Sequence, residues 1–487
     1  MPNVEIPKEV VEVAKKLAEA GFEAYLVGGC VRDVILGREP KDWDVATNAK
    51  PEEIQKVFGE DETVYENAFG TVGVKTGAED PKLALVEVTT YRIEGKYSDK
   101  RHPDEVRFAK TIEDDLSRRD FTVNALAMDL KGAVLDPFGG REDLKKKLIR
   151  TVGEPMERFG EDALRLMRAV RFAVELDFEI DMNTRRAIET KSRELALIAQ
   201  ERVRDEFTKI LMTPRAAKGI LLLEELDLLQ YVLPELREGL GVGQNKHHIY
   251  TVFEHNVRAL DYAAKQGYSL AVRLASLLHD VGKPRAKAGD GPDSTFYQHE
   301  YIGAKMALKA LDRLRFPRDF VEQVAHLVRR HMFNYDVGVV TPAGVRRFIA
   351  RVGGENIEDL IHVREADRIG SGVDKAVPYK LRHLLFMVEN VKRDPILPKM
   401  LAVRGEDVME ILGLPQSPRV GLILYPLLDE VLEDPARNTK EYLVPRVKEL
   451  GKLSDAALKK MMAEAKKRKS EFEEEEEEEI KKKFRVK

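Results

Sequence analysis

Asp42 and Asp44 stand one residue apart in KDWDVAT, shortly after the glycine pair Gly28-Gly29 and the basic residue Arg32. In an extended strand alternate side chains share a side, so Asp42 and Asp44 point one way and Trp43 and Val45 the other. Two parallel carboxylates repel unless a cation lies between them. Hard oxygen ligands at that spacing suit Mg²⁺, which commonly combines one or two carboxylates with substrate phosphates. Gly28 and Gly29 let backbone amides approach a phosphate at the start of the next helix. Arg32, one turn further on, adds a charged contact to a triphosphate. The plainer alternative is an edge strand with two solvated aspartates. Glu87, in LALVEVTTYR, is a candidate third acidic member of the group.

A second constellation follows in RRDFTVNA (118–125) and EDALRLMRAVRF (161–172). On one helix Asp162, Arg165, Arg168 and Arg171 are successive i,i+3 neighbours forming a slanted row. A carboxylate only accepts hydrogen bonds and a guanidinium only donates. Asp162 beside Arg165 therefore reads an amino donor next to a ring-nitrogen acceptor, the pattern of cytosine and adenine. Uracil and guanine present the reverse and would leave buried polar groups unpaired. Arg168 and Arg171 remain for phosphates.

A third group is His255, the doublet His279-Asp280 in LLHDVGKP, and Asp367 in READRIG, with His299 and His331 between them as accessory candidates. Imidazole with carboxylate suits Mn, Ni, Fe or Zn better than Mg. Adjacent donors let one ion and a water nucleophile share the site.

These groups need elements to hold them. Val10, Val11, Ala14, Leu17 and Ala18 fall on one helical stripe. Beyond it AYLV, DWDVAT, GTVGVKT, LALVEVTTYR and EVRFA read as strands. CVRDVILG, PEEIQKVF and RRDFTVNALAMD read as helices, the second opened by Pro51. After DPFGG (136–140) nearly everything reads as helix. ERFGEDALRLMRAVRFAVEL is a single long amphipathic helix in this reading, and further helices cover 183–211 and 216–231. The expected fold is multidomain α+β: a head with a mixed sheet over 1–140, an all-α neck and body over 141–240, a His/Asp-rich helical domain over 241–380, a helical region over 381–465 and a charged tail over 466–487. Basic residues in KKKLIR, RRAIETKSR, ERVRDEF and TPRAAKG could track a nucleic-acid backbone, though most are expected on solvated helix faces.

At 487 residues, length calls for several domains, and a net charge of −4 does not advertise nucleic-acid binding. Cys30 is the only cysteine, which excludes an intrachain disulfide or a cysteine zinc cluster and fits a reducing cytoplasm. The first residues do not read as a signal peptide, and no apolar run is long enough to span a bilayer, so no membrane partner is expected.

GGCVRD…DWD resembles the signature of nucleotidyltransferases related to polymerase β. RRDFTVNA is similar to a motif of class II tRNA nucleotidyltransferases and bacterial poly(A) polymerases. The resemblance implies that Asp42 and Asp44, with Glu87 as a possible third, hold catalytic Mg²⁺ ions that activate an RNA 3′-OH and stabilise leaving pyrophosphate. It assigns phosphate and ribose contacts to Arg119 and Asp120, with Asn124 beside them. It counts Glu161 with Asp162, Arg165, Arg168 and Arg171 among the nucleotide contacts, and makes Asp162 and Arg165 the base readers. Residues 89–111 resemble the flexible loop of members that add the terminal A. CCA addition to the acceptor end of tRNA from CTP and ATP is thus the leading expectation, with no DNA partner. A-only addition and polyadenylation are the alternatives. The order H…HD…D resembles the HD phosphohydrolases and implies a second divalent metal at His255, His279, Asp280 and Asp367, with hydrolysis of 2′,3′-cyclic phosphates or phosphomonoesters. The rival from another class is an HD-type nucleotide phosphohydrolase whose head only senses nucleotides.

Overall fold

The computed structural model describes residues 5–65, 70–94, 106–245, 249–392, 401–464, 482 and 484–486. The chain forms two compact units, Met1–His331 with Asp359–Asp374, and Met332–Glu358 with Lys375–Lys487. All three constellations belong to the first.

That unit opens with α1 (Lys8–Glu19), β1 (Ala24–Val27), α2 (Gly29–Ile35), β2 (Asp44–Thr47) and α3 (Pro51–Phe58). The strands β3 (Thr63–Tyr65), β4 (Thr71–Lys75) and β5 (Leu85–Thr90) follow, then the hairpin strands β6 (Arg92–Glu94) and β7 (Val106–Phe108). Next come α4 (Ile112–Ser117), β8 (Ala127–Met128) and β9 (Val134–Leu135). Seven strands form one sheet in the order β3-β4-β5-β2-β1-β8-β9, with β2 in the middle. Only the β2–β5 pair is parallel, so the sheet is mixed. Val45, Val72, Val74, Val86 and Val88 are buried in it. Each such valine stabilises the sheet by roughly 1.5–3 kcal/mol through area removed from water.

The body is helical: α5 (Gly140–Lys146), α6 (Pro155–Glu161), α7 (Leu164–Leu176), α8 (Met182–Lys191), α9 (Gln200–Leu211), α10 (Ala216–Glu225), α11 (Leu229–Val232) and α12 (Pro234–Arg237). It is not wholly helical, because β10 (Leu148–Ile149) and β11 (Glu179–Ile180) pair in parallel. Then come α13 (Val252–Lys265), α14 (Leu270–Leu278), α15 (Lys283–Ala286), α16 (His299–Arg313) and α17 (Arg318–Arg330). Past α18 (Pro342–Val352), α19 (Ile357–Gly370) carries Asp367. Arg273 on α14 is buried and donates to the carbonyls of Leu211 at 2.7 Å, Thr213 at 3.0 Å and Tyr268 at 2.8 Å. It thereby satisfies backbone groups that the end of α9 leaves open. The second unit has its own core around Val403, Ile423, Leu427, Leu443 and Val447.

Several expectations are corrected. The buried stripe of α1 is Val10, Val13, Ala14 and Leu17, while Val11 is half-buried and Ala18 exposed. The strand in DWDVAT begins at Asp44, so Asp42 precedes it. Residues 118–129 are not a helix: Phe121 bridges Thr151, Thr122–Asn124 form a tight 3₁₀ turn and Ala127–Met128 pair with β1. Every residue from Asp120 to Met128 is buried, so no polar side exists to mark a helical period, and sheet pairing satisfies part of the backbone. The long helix over 157–176 breaks at Asp162, whose backbone is extended (φ −140, ψ 106). Its Oδ1 accepts the Leu164 N–H at 3.0 Å, the local side-chain bond by which aspartate favours caps over helix interiors. Residues 95–105 of the expected loop lie outside the described residues. Among the described residues no helix is long and apolar enough to cross a membrane.

Candidate functional sites

The β1–α2 turn, the start of β2, the 118–124 segment, α7 and α9 line a cavity of about 950 Å³. Gly29, Arg32, Asp42, Asp44, Arg119, Asp120, Asn124, Asp162, Arg165, Arg168 and Arg171 all line it. Gly28, Glu87 and Glu161 do not belong to the lining. Asp42 is exposed and Asp44 half-buried, with the intervening Trp43 buried. Glu87 is the register partner of Asp44 across the parallel β2–β5 pair and is exposed. The two aspartates supply hard oxygen donors at the mouth of an arginine-rich cavity, a donor set that fits a divalent cation shared with phosphate.

Gly28 acts differently from expectation. Its N–H already donates to the Leu126 carbonyl at 3.1 Å. Its φ of +77 favours glycine, and a Cβ there would stand 2.5 Å from Nη1 of Arg119. The missing side chain is what lets Arg119 lie across the turn. Arg32 is buried, donating to Asn124 Oδ1 at 2.8 Å and, through two nitrogens, to Asp33 at 2.9 and 3.0 Å. Cys30 below the turn is buried, which pushes its thiol up to about 12 and leaves it inert.

Asp120 is the electrostatic hub. Oδ2 accepts from Arg168 Nε at 2.7 Å and Nη2 at 2.6 Å, while Oδ1 accepts the Phe121 N–H at 2.8 Å and the Asn124 amide at 3.3 Å. Burial alone would raise its pKa; Arg168, then Arg165, overrides burial and holds the carboxyl at about 2.

The helical row is rearranged by the break at Asp162. Arg165 is buried, paired with Glu161 and donating to the carbonyls of Arg158 at 3.1 Å and Arg118 at 3.2 Å. Asp162 is gripped instead by Arg202 on α9, at 2.7 and 3.3 Å. Arg171 donates to Glu206 at 2.7 Å and Glu175 at 2.9 Å. The guanidinium carbons of Arg171, Arg168 and Arg32 lie 3.9, 5.3 and 5.5 Å from the centroid of the Phe172 ring. A ring face attracts cations, so Phe172 helps hold three like charges together. Sequence reasoning missed Phe172, Glu175, Arg202 and Glu206. The i,i+4 pair Arg202/Glu206 in ERVRDEF was a usable signal, since both fall on one helix face, but it was read as solvated or backbone-tracking.

The second site lies among α13, α14, α16, α17 and α19. Thr251 and Glu254 form a reciprocal capping box that starts α13 and sets His255 in its first turn. A Cβ on Gly282 would meet the His299 carbonyl at 2.2 Å, so glycine there permits the close approach of the doublet's loop to α16. Nε2 of His255 and His279 are 2.9 Å apart. Asp280 Oδ2 lies 3.1 and 3.4 Å from them, and Asp367 Oδ1 3.3 and 3.6 Å. His299 and His331 come close to the other Asp280 oxygen. Burial opposes ionisation of both aspartates, but both are held well below the usual carboxylate range, Asp280 by Lys283 and then His279, Asp367 by hydrogen bonds from His255 and His279. Burial likewise opposes the His279 cation, and Asp280 prevails to raise it to about 10. Converging imidazole and carboxylate donors fit a divalent cation.

A central-strand carboxylate beside a cage of arginines fits a nucleotidyltransferase, and the comparisons with known proteins give that class. The pattern described as "Poly A polymerase head domain" matches residues 24–150, "Probable RNA and SrmB- binding site of polymerase A" matches 177–240, and "HD domain" matches 252–371. An A-adding tRNA nucleotidyltransferase of Deinococcus radiodurans is 36% identical over 420 residues, covering 83% of this chain and 91% of that one. A CCA-adding enzyme of Geobacillus sp. (strain WCH70) is 33% identical over 434 residues, covering 89% and 95%. The solved Bacillus stearothermophilus CCA-adding enzyme in complex with CTP aligns with a TM-score of 0.59 at 30% identity, covering 91% and 96%. The chain belongs to the tRNA nucleotidyltransferase family with a poly(A) polymerase head and an HD domain.

Proposed function

We propose that the protein adds C, C and A to the 3′ end of tRNA without a template, using CTP and ATP and releasing pyrophosphate. The observation that carries this reading is the gathering of Asp42, Asp44, Asp120, Asp162 and the arginines of α7 into one cavity. The names of the relatives support the choice of tRNA, CTP and ATP as partners, and a cytoplasmic setting suits that substrate.

Asp42 and Asp44 would hold Mg²⁺, with Glu87, the register partner of Asp44 on the neighbouring strand, as the candidate third acid. When bound, Mg²⁺ supplies charge neutralisation at the attacking and leaving oxygens. Arg32, Arg119, Arg168 and Arg171 face the triphosphate, each pre-oriented by a carboxylate, a carbonyl or the Phe172 ring. Holding donors fixed before substrate arrives removes reorganisation cost from the reaction step. Asp162 accepts from the exocyclic amine of cytosine or adenine, while a guanidinium beside it, Arg165 or its present partner Arg202, donates to the ring nitrogen. Gly28, Gly29 and Asn124 shape the turn that seats the phosphates, and Glu161 steadies Arg165.

The HD cluster is, in this reading, a phosphohydrolase centre using a Mn-, Ni-, Fe- or Zn-class ion on cyclic phosphates or phosphomonoesters. The protein is tested on tRNA lacking CCA with CTP and ATP, separately and together, against an Asp42→Ala/Asp44→Ala control. Incorporation of C from CTP alone, followed by A, is expected. Incorporation of ATP only, on tRNA ending in CC, would place the protein with the A-adding enzymes instead. His279→Ala should abolish phosphatase activity and leave nucleotide addition intact.

A further inference from the structure

Arg119 lies in the nucleotide cavity without a strong partner of its own. Its Nη1 is 3.5 Å from the Asn124 carbonyl and its Nη2 is 3.5 Å from Asp115 Oδ2, both at the limit of a hydrogen bond. Its Nε is buried and has no acceptor among the described residues. A guanidinium with donors to spare is ready for a phosphate, provided that something keeps it in place until one arrives.

That something is Asp115 on α4, which is fully buried and does not belong to the cavity lining. Arg118 grips Oδ1 of Asp115 with Nε at 2.9 Å and Nη2 at 2.8 Å. The same oxygen accepts the Arg92 N–H at 3.4 Å, and Oδ2 faces Arg119. Burial opposes ionisation of Asp115; Arg118, then Arg119, prevails and holds its carboxyl below the usual carboxylate range. Arg92, Arg118 and Arg119 all line the cavity. Arg92 also opens β6, which pairs with β7 as a hairpin. One carboxylate outside the cavity thus touches three residues inside it.

The carboxylate is itself firmly placed. Ile112 and Leu116 of α4 are buried in one core with Val27, Ala46 and Ala125. Val27 ends β1 just before the glycine turn, and Ala46 follows Asp44 on β2. Asp115 is therefore fastened to the strands that carry the turn and the aspartates. Neighbouring guanidinium groups repel, and an anion shared between them offsets that repulsion. Each also has several rotamers to lose, so fixing them beforehand removes that cost from the substrate-bound step.

We propose that Asp115 is a positioning residue for nucleotide addition: from outside the cavity it aims Arg118 and Arg119 at the bound triphosphate and ties them to the root of the β6–β7 hairpin. This rests on the reading of the cavity as the nucleotide site and extends it to a carboxylate that touches neither substrate nor metal.

The test is a double-mutant cycle on the full chain, with tRNA lacking CCA and CTP alone as substrates. Asp115→Asn is made in the parent and in a chain carrying Arg118→Met and Arg119→Met. In the parent it should lower kcat/KM about tenfold or more, the scale of a lost hydrogen bond to a charged group. In the arginine-free chain it should change kcat/KM by no more than about twofold, because nothing is left to aim. The melting temperature reads the same coupling where residual activity is too low to compare. Asp115→Asn should lower it in the parent and raise it in the arginine-free chain, where the buried carboxylate has lost its counterions. Equal losses of kcat/KM in both chains, or an unchanged kcat/KM in the parent, would overturn the positioning role. Should Asp115→Asn fold poorly, Asp115→Ser takes its place in the same cycle, with the same outcomes expected. A parent chain that adds no nucleotide would overturn the underlying reading of the cavity, and that is seen before any residue is changed.

Discussion

Replacing Arg168 by methionine tests whether Asp120 is the hub of the nucleotide cavity. Methionine keeps an apolar stem near Phe172 and removes the charge on which the buried carboxylate depends. The Asp120 carboxyl lies at about 2 against an ordinary 3.8. That difference corresponds to roughly 2–3 kcal/mol of native-state stabilisation. The folded value is the lower one, so the contribution is fully present above about pH 4 and disappears as pH falls toward 2. In the variant, burial acts on Asp120 with less opposition, and its carboxyl rises. We expect a loss of at least about 2–3 kcal/mol at pH 7 that shrinks as pH falls from about 4 toward 2, where the parent's own carboxyl takes up a proton, and that Asp120→Asn largely restores. The Phe121 N–H donates to Asp120, so exchange of amides in 118–126, followed by mass spectrometry, reports the site directly. A loss of that size makes local exchange about 30- to 150-fold faster than in the parent at the same pH. Unchanged exchange at pH 7, or a change that neither fades with acid nor responds to Asp120→Asn, would refute the reasoning.

Gly28→Ala places a methyl 2.5 Å from Arg119 at a positive φ, costing about 1–2 kcal/mol of backbone strain; kcat/KM for nucleotide addition should fall far more than the melting temperature. Asp162→Ala removes the acceptor that reads the amine and should raise incorporation of UTP relative to CTP by about tenfold or more, read in competition with labelled nucleotides. Arg273→Met orphans the carbonyls at the end of α9 and should destabilise the first unit by at least about 2 kcal/mol, seen as a lowered melting temperature. Arg273→Lys should not rescue it, because one ammonium cannot reproduce a planar fork of donors.

The parts legible in the sequence were those whose pattern is local. β1, β2, β4 and β5 announce themselves by valines beside turn residues, and α3 by Pro51 at its first position. The carboxylate pair, the glycine turn and the histidine–aspartate order could be read because each is a short string. What failed was periodicity where burial is complete or where a side chain overrides it. Residues 120–128 look helical because all are compatible with a core, and only the partner strand β1 decides against a helix. The run through 157–176 keeps its apolar spacing across Asp162, whose side-chain bond to Leu164 ends the first helix. Arg202 lines the cavity, and Glu206 holds Arg171 beside it, through helix packing between α7 and α9, a contact no local string encodes. The ion pair of Asp162 with Arg202 has the same origin.

The hold of Arg273 on the carbonyls that close α9 has a consequence for how the molecule can be divided. α9 lines the nucleotide cavity with Arg202 and Lys209, and its last carbonyl is received by a side chain that arrives about sixty residues later in the chain. A protein shortened after residue 245 would keep every group of the polymerising centre, yet its helix would end in bare oxygens with no fork to receive them. The HD domain is therefore a buttress for α9, and a chimera that exchanges it must bring along a guanidinium at this joint.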